Sequence, residues 1–147
     1  MIVTYQIFIE ENLLIQKFTG NFSFEDYMKY SWSIMNHPLA SYVKKILIDF
    51  RTLNFPQFPD DENNDLTKII ELRKNIRKTE PVINDFIHAF WVDKPLPTVI
   101  AHLFIERFPD MKYWYCSTEE NITKALKISP EFGKLDEIIE NLENHFK

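Results

Sequence analysis

The order of strand-like and helix-like runs restricts this chain to few folds. Residues 3–9 and 13–18 are rich in β-branched and aromatic residues, and three polar residues separate them, which predicts an antiparallel hairpin. Three later runs, near Ile46, Phe90 and Tyr115, are each preceded by a helix-like segment. Helix-separated strands are typical of parallel neighbours joined by right-handed crossovers. The sequence therefore predicts an α/β fold in which an antiparallel hairpin opens a mixed sheet and helices pack on that sheet.

Caps and apolar spacing mark the predicted helices. Ser23, three residues before Asp26, predicts the start of the first helix, and Ser117 with Glu120 predicts the start of a later one. Another helix runs to about Lys78, and one stripe along it contains Leu66, Ile69, Ile70 and Arg73. A final helix is predicted from Ser129, with an apolar stripe made of Leu135, Ile138, Ile139, Leu142 and Phe146.

The 147 residues are enough for one domain over 1–147, in which residues 127–147 form an appended C-terminal helix. With 2 glycines, the chain offers no glycine-rich phosphate loop, and its net charge of −5 disfavours binding to nucleic acid. One cysteine, no evident signal peptide and no membrane-length apolar run favour a soluble, cytoplasmic protein. No cofactor is predicted.

The element order and several segments resemble the STAS fold, in particular its SpoIIAA-like branch. The resemblance lies in the opening hairpin, in residues 18–20 (FTG) leading into 24–27 (FEDY), in 46–51 (ILIDFR) and in 117–126 (STEENITKAL). It implies a regulatory or protein-interaction module without catalysis, here expected to form a homodimer with a further protein partner unknown.

The resemblance also implies where a switch would lie. Anti-sigma antagonists of this family are controlled by phosphorylation of a Ser or Thr directly after the third strand. The matching position here holds Thr52 between Arg51 and Leu53, without the acidic and small neighbours of the family site. We therefore predict that Thr52 is not a regulatory phosphosite.

Charged and polar residues follow the three parallel strands. Ligands of open α/β sheets collect beyond the carboxyl ends of such strands. Here that edge gathers Asp49, Arg51, Asp93, Lys94 and Ser117, which predicts an edge that binds a ligand or partner. The alternative is that the acids cap loops and the bases neutralise them.

No catalytic or metal-binding pattern accompanies that edge. Cys116 precedes a predicted helix N-terminus, which can activate a thiol, but no histidine is spaced to serve it, so a core cysteine is favoured. His88 and His102 could approach each other, but two histidines without a third ligand do not form a metal site. An enzyme is not predicted.

Large apolar residues also occur where the chain should be exposed. Leu53, Phe55 and Phe58 lie in a proline-containing loop, where they either fold back on the core or form an interaction surface.

A second alternative for the whole protein is a carrier of a small molecule or lipid, with an apolar pocket between sheet and helices. A pocket of several hundred Å³ would favour the carrier, and a close-packed interior would favour the interaction module.

Overall fold

The computed structural model describes residues 1–55, 65–80 and 85–146. Its strands are β1 (Ile2–Phe8), β2 (Leu13–Asn21), β3 (Lys45–Asp49), β4 (Leu53–Asn54), β5 (Ile87–Trp91), β6 (Lys112–Cys116) and β7 (Asn144–Phe146). Its helices are α1 (Phe24–Met35), α2 (Asp65–Thr79), α3 (Pro95–Arg107), α4 (Glu119–Leu126) and α5 (Leu135–Glu140). In the described residues, no helix has the length and apolar character needed to cross a bilayer.

The strands form one mixed sheet in the order β6-β5-β3-β2-β1-β7, and β4 pairs with the end of β2. Strands β1 and β2 are antiparallel, joined by a turn in which Asn12 adopts a left-handed conformation that asparagine tolerates. The pairs β2–β3, β3–β5 and β5–β6 are all parallel. The predicted mixed α/β sheet with an antiparallel opening hairpin is confirmed.

Alternation along the strands divides the core between the two faces of the sheet. On one face, Leu47, Ala89 and Cys116 pack with Ile122 of α4 and Ile139 of α5. On the other face, buried side chains of β1, β2, β3 and β5 pack with α1, α2 and α3. The second face is rich in aromatic rings, and it is the face that carries the cavity described below.

The C-terminal residues differ from the predicted single helix. Helix α5 covers only Leu135–Glu140, and the chain then extends as β7, which pairs antiparallel with β1. The outer edge of β1 offers unpaired backbone groups, and pairing with residues 144–146 satisfies them, while the Phe146 ring packs 5.5 Å from that of Tyr30. Leu135, Ile139 and Leu142 are buried against the sheet, so these residues belong to the core. Residues 127–146 are therefore not an appended helix.

The predicted cap of α1 is confirmed, and the cap of α4 lies one residue from the predicted position. The Ser23 hydroxyl accepts a hydrogen bond from the Asp26 backbone N–H at 3.3 Å, which confirms the first cap. The cap of α4 is Thr118, whose hydroxyl accepts from the Asn121 N–H at 3.3 Å. The predicted cap at Ser117 was wrong by one position because the neighbouring Thr118 offers an equivalent oxygen.

Candidate ligand-binding site

The predicted edge begins with a buried ion pair. The Arg51 Nε and Nη2 atoms donate to the two carboxylate oxygens of Asp49 at 3.0 and 2.9 Å, and the Arg51 backbone N–H donates to Asp49 Oδ1 at 3.0 Å. The Asp49 side chain is only 1% exposed. Such two-pronged contact is the strong form of an arginine–carboxylate interaction.

Arg51 also connects this edge of the sheet to helix α5. Its Nη1 donates to Asp136 Oδ1 at 2.7 Å, and its guanidinium lies 3.6 Å from the centre of the Trp91 ring. Burial alone would lower the pKa of Arg51, but the hydrogen bonds to Asp49 and Asp136 raise it above its ordinary value. The guanidinium is therefore held by three neighbours of its own chain.

The remaining edge residues do not converge on this pair. Asp93, Lys94 and Ser117 are exposed, and among the described residues none of them makes a hydrogen bond or ion pair with Asp49 or Arg51. The Lys94 backbone carbonyl accepts from the Thr98 hydroxyl at 2.7 Å at the start of α3. The contacts between Asp49 and Arg51 match the neutralising alternative, and the ligand edge stays a prediction.

Cys116 and the histidines are separated in space. Cys116 is buried in the α4/α5 face, and burial raises the pKa of its thiol, so the reactive thiolate is disfavoured. His102 is exposed on α3 beside Glu106, whereas His88 is buried on the face of the sheet opposite to Cys116. Within the described ranges, no three His, Cys, Asp or Glu side chains group as metal ligands would.

The predicted interaction loop is partly built into the core. Leu53 is 1% exposed in β4, and the Phe55 ring stacks 5.2 Å from Phe22 and lies edge-on to Phe50 at 6.2 Å. The Thr52 hydroxyl donates to the Phe18 carbonyl at 3.2 Å, a structural role for that side chain. Phe58 lies outside the described residues. Leu53 and Phe55 therefore follow the first alternative, folding back on the protein's own core.

Replacing Phe55 with serine is expected to lower the free energy of unfolding by about 2 kcal/mol, since a half-buried ring loses part of the burial of a full phenylalanine. Assembly in solution should not change. Urea unfolding and sedimentation of the Phe55→Ser variant measure both quantities. A changed oligomeric state with unchanged unfolding would show that Phe55 forms an interface instead.

A cavity of about 630 Å³ lies between the sheet and helices α1, α2 and α3. Its wall is mostly apolar and includes aromatic side chains from four strands or their ends and from two helices, among them Phe18, Phe22, Phe50, Phe55, Phe90 and Phe104. Native cores hold few voids larger than a water molecule. A space of this size is within the range of about 300–1,000 Å³ that ligand pockets occupy.

The cavity extends along the sheet between the two ends of its strands. Among the described residues, its exposed lining side chains lie near the amino end of β3 or at the carboxyl ends of α1 and α2; they are Trp32, Met35, Asn36, Ser41, Lys44 and Glu80. The rings of Phe22, Phe50 and Phe55 line the other end.

A polar cluster is set into this apolar wall and is centred on Arg73 of α2. Arg73 Nη2 donates to the Tyr27 hydroxyl at 3.1 Å, and Nη1 lies 3.4 Å from both the Tyr113 hydroxyl and His88 Nε2. Burial alone would lower the pKa of Arg73, but its interactions with Tyr27 and Tyr113 raise it, so the side chain stays charged. These contacts join α2 to α1, β5 and β6.

His88 is the buried partner of Arg73 on the sheet. Burial, followed by the nearby Arg73 charge, lowers the pKa of His88 well below its ordinary value, and an interaction with the Phe86 backbone only partly opposes this. His88 is therefore neutral at pH 7. Because its Nε2 faces an arginine donor, Nδ1 carries the proton, and Nδ1 has no hydrogen-bond partner of good geometry in the described residues.

A second polar pair lies on the same wall. The Tyr30 hydroxyl donates to Gln16 Oε1 at 2.7 Å, and both side chains are buried. Gln16 stands in the middle of an otherwise apolar stretch of β2. Gln16 was not among the predicted site residues, and Arg73 was predicted only as part of an apolar helical stripe. The signal that could have indicated a role for Arg73 is a charged residue within an apolar helical stripe.

No family model matches this chain, and no curated protein sequence matches it. The resemblance to STAS domains therefore rests on the order of elements and the short segments named above, and it stays a prediction.

Proposed function

We propose that this protein binds a small, mainly apolar molecule in the cavity between the sheet and helices α1 to α3, as a carrier or ligand-responsive protein. The cavity of about 630 Å³ is the observation that carries this proposal. It combines an apolar wall with a few buried polar groups, which is the usual make-up of a small-molecule site.

The interaction module implied by the STAS resemblance is the alternative proposal, with a cytoplasmic location and a homodimer as its further parts. A close-packed interior was the structural feature expected of this interaction module. A cavity on one face of the sheet favours ligand binding over that alternative, and Leu53 and Phe55, two of its three proposed contact residues, pack on the protein itself.

Filling the cavity tests the proposal. Ser31 of α1 is half-buried and lines the cavity, whereas Ser33 on the same helix is exposed and does not. Ser31→Phe places a ring in the space a ligand would occupy, and Ser33→Phe adds the same ring outside it. We expect the wild type and Ser33→Phe to bind the neutral dye Nile red, with fluorescence reporting an apolar environment, and Ser31→Phe to bind it at least about ten-fold more weakly.

Displacement of the dye by dodecanol gives an independent measure of the same site. Native mass spectrometry of the purified wild type should also show retained ligand. Equal dye binding by the two phenylalanine variants, both folded by circular dichroism, would place binding elsewhere. An absence of binding by the wild type would reject the function.

A further inference from the structure

Resting on the proposed function, we propose that the ligand is a monocarboxylic acid with an apolar body, whose carboxylate is bound by Arg73. Arg73 is a cation that lines an apolar cavity and has no carboxylate partner in the described part of the chain.

Other buried or partly buried arginines of this protein have carboxylate partners. Arg51 is neutralised by Asp49 and Asp136, and Arg77, one turn after Arg73 on α2, pairs with Asp110. Arg73 instead contacts two tyrosine hydroxyls and His88, none of which is a carboxylate, and burial keeps this histidine neutral at pH 7. The Phe104 ring, 5.4 Å from the guanidinium, adds only a weak attraction for the cation.

A buried charge without a counter-charge is unfavourable unless something supplies one. Glu80 and Lys44 also line the cavity, but both are exposed, and no ion pair joins Glu80 to Arg73. Glu80 follows Arg73 by seven residues, a separation of about 10 Å along a helix. Among the residues that the structure describes, the cavity wall therefore provides no charge that balances Arg73.

The hydrogen-bonding groups around Arg73 also favour an anion. Each tyrosine hydroxyl that accepts from Arg73 keeps its own O–H to donate. Arg73 Nε makes no hydrogen bond within the described residues, so the planar guanidinium retains a free donor. The cluster offers donors and one positive charge.

That single charge selects between anionic headgroups. A carboxylate carries one negative charge and matches Arg73, whereas a phosphate monoester carries about −1.5 to −2 near pH 7 and would leave negative charge buried. The rest of the wall is apolar, which suits an alkyl or aromatic body. A fatty acid, or another monocarboxylic acid with an apolar body, matches both the charge of Arg73 and the apolar wall.

Matched ligands and matched variants test this inference in the full chain at pH 7.5. Dodecanoate and dodecanol share one tail and differ in the headgroup. We expect the wild type to bind dodecanoate at least about ten-fold more tightly than dodecanol, and Arg73→Met to lose that preference. Arg77→Met, on the same helix but paired with Asp110, should keep the preference.

Several outcomes would overturn the carboxylate assignment and leave the binding function intact. They are equal wild-type affinity for the acid and the alcohol, equal loss of both ligands in Arg73→Met, and tighter binding of dodecyl phosphate than of dodecanoate. Arg73→Gln, which keeps polar contacts without the charge, provides the same test should Arg73→Met fail to fold. Failure of Nile red, dodecanol and dodecanoate together would reject the proposed function itself.

Discussion

Replacing Asp49 with alanine is expected to lower the free energy of unfolding by about 3–5 kcal/mol, the usual cost of removing one member of a buried ion pair. Asp49 accepts three hydrogen bonds from Arg51, and its own side chain is almost completely buried. Without it, the guanidinium keeps only the exposed Asp136 and the face of Trp91. Urea unfolding at pH 7, followed by tryptophan fluorescence, measures the loss.

Asp136→Ala is the matched control, since it removes the other carboxylate bound to the same guanidinium. Asp136 is 60% exposed, and exposed ion pairs are worth only about 0–1 kcal/mol. Equal, small losses in the two variants would show that the pair at the end of β3 does not stabilise the fold, and would return Asp49 and Arg51 to consideration as ligand-binding residues.

The fold was predictable because its signals are local. Residues 1–18 form a hairpin with a short polar turn, and a helix lies between each two successive members of the parallel set β2, β3, β5 and β6, so pairing direction follows from connection length. The C-terminal residues were not predictable in the same way. Their apolar spacing suits a helix, but β7 forms because the open edge of β1 lies within reach, which is a property of the assembled sheet.

The candidate site was harder to predict than the fold. Strand-end charges such as Asp49 and Arg51 are visible in a sequence, but their mutual neutralisation depends on geometry. The cavity depends on how far three helices stand from one face of the sheet, and no residue pattern encodes that distance. Arg73 and His88 stood among apolar neighbours, where each also had an ordinary structural explanation.

His88 leads to the second large expected effect, a loss of stability as the pH falls below about 6.5. Its pKa in the folded protein is well below the value in the unfolded chain, so the unfolded state binds one more proton in the interval between the two pKa values. Stability rises with pH wherever the unfolded state binds more protons, and it therefore falls on acidification. The slope from one group is at most about 1.4 kcal/mol per pH unit.

Comparison with His88→Gln isolates this contribution from every other titrating group. Glutamine cannot be protonated in this range, and its amide oxygen can still accept from Arg73. Urea unfolding of both proteins between pH 5 and pH 7.5 should show the wild type losing stability more steeply than the variant, with the curves parallel above pH 7. Equal slopes throughout would mean that His88 takes up its proton equally in the folded and unfolded states, which would contradict the lowered pKa. Repeating the series with bound dodecanoate should reduce the wild-type slope, because a carboxylate at Arg73 would favour the protonated form of the adjacent imidazole.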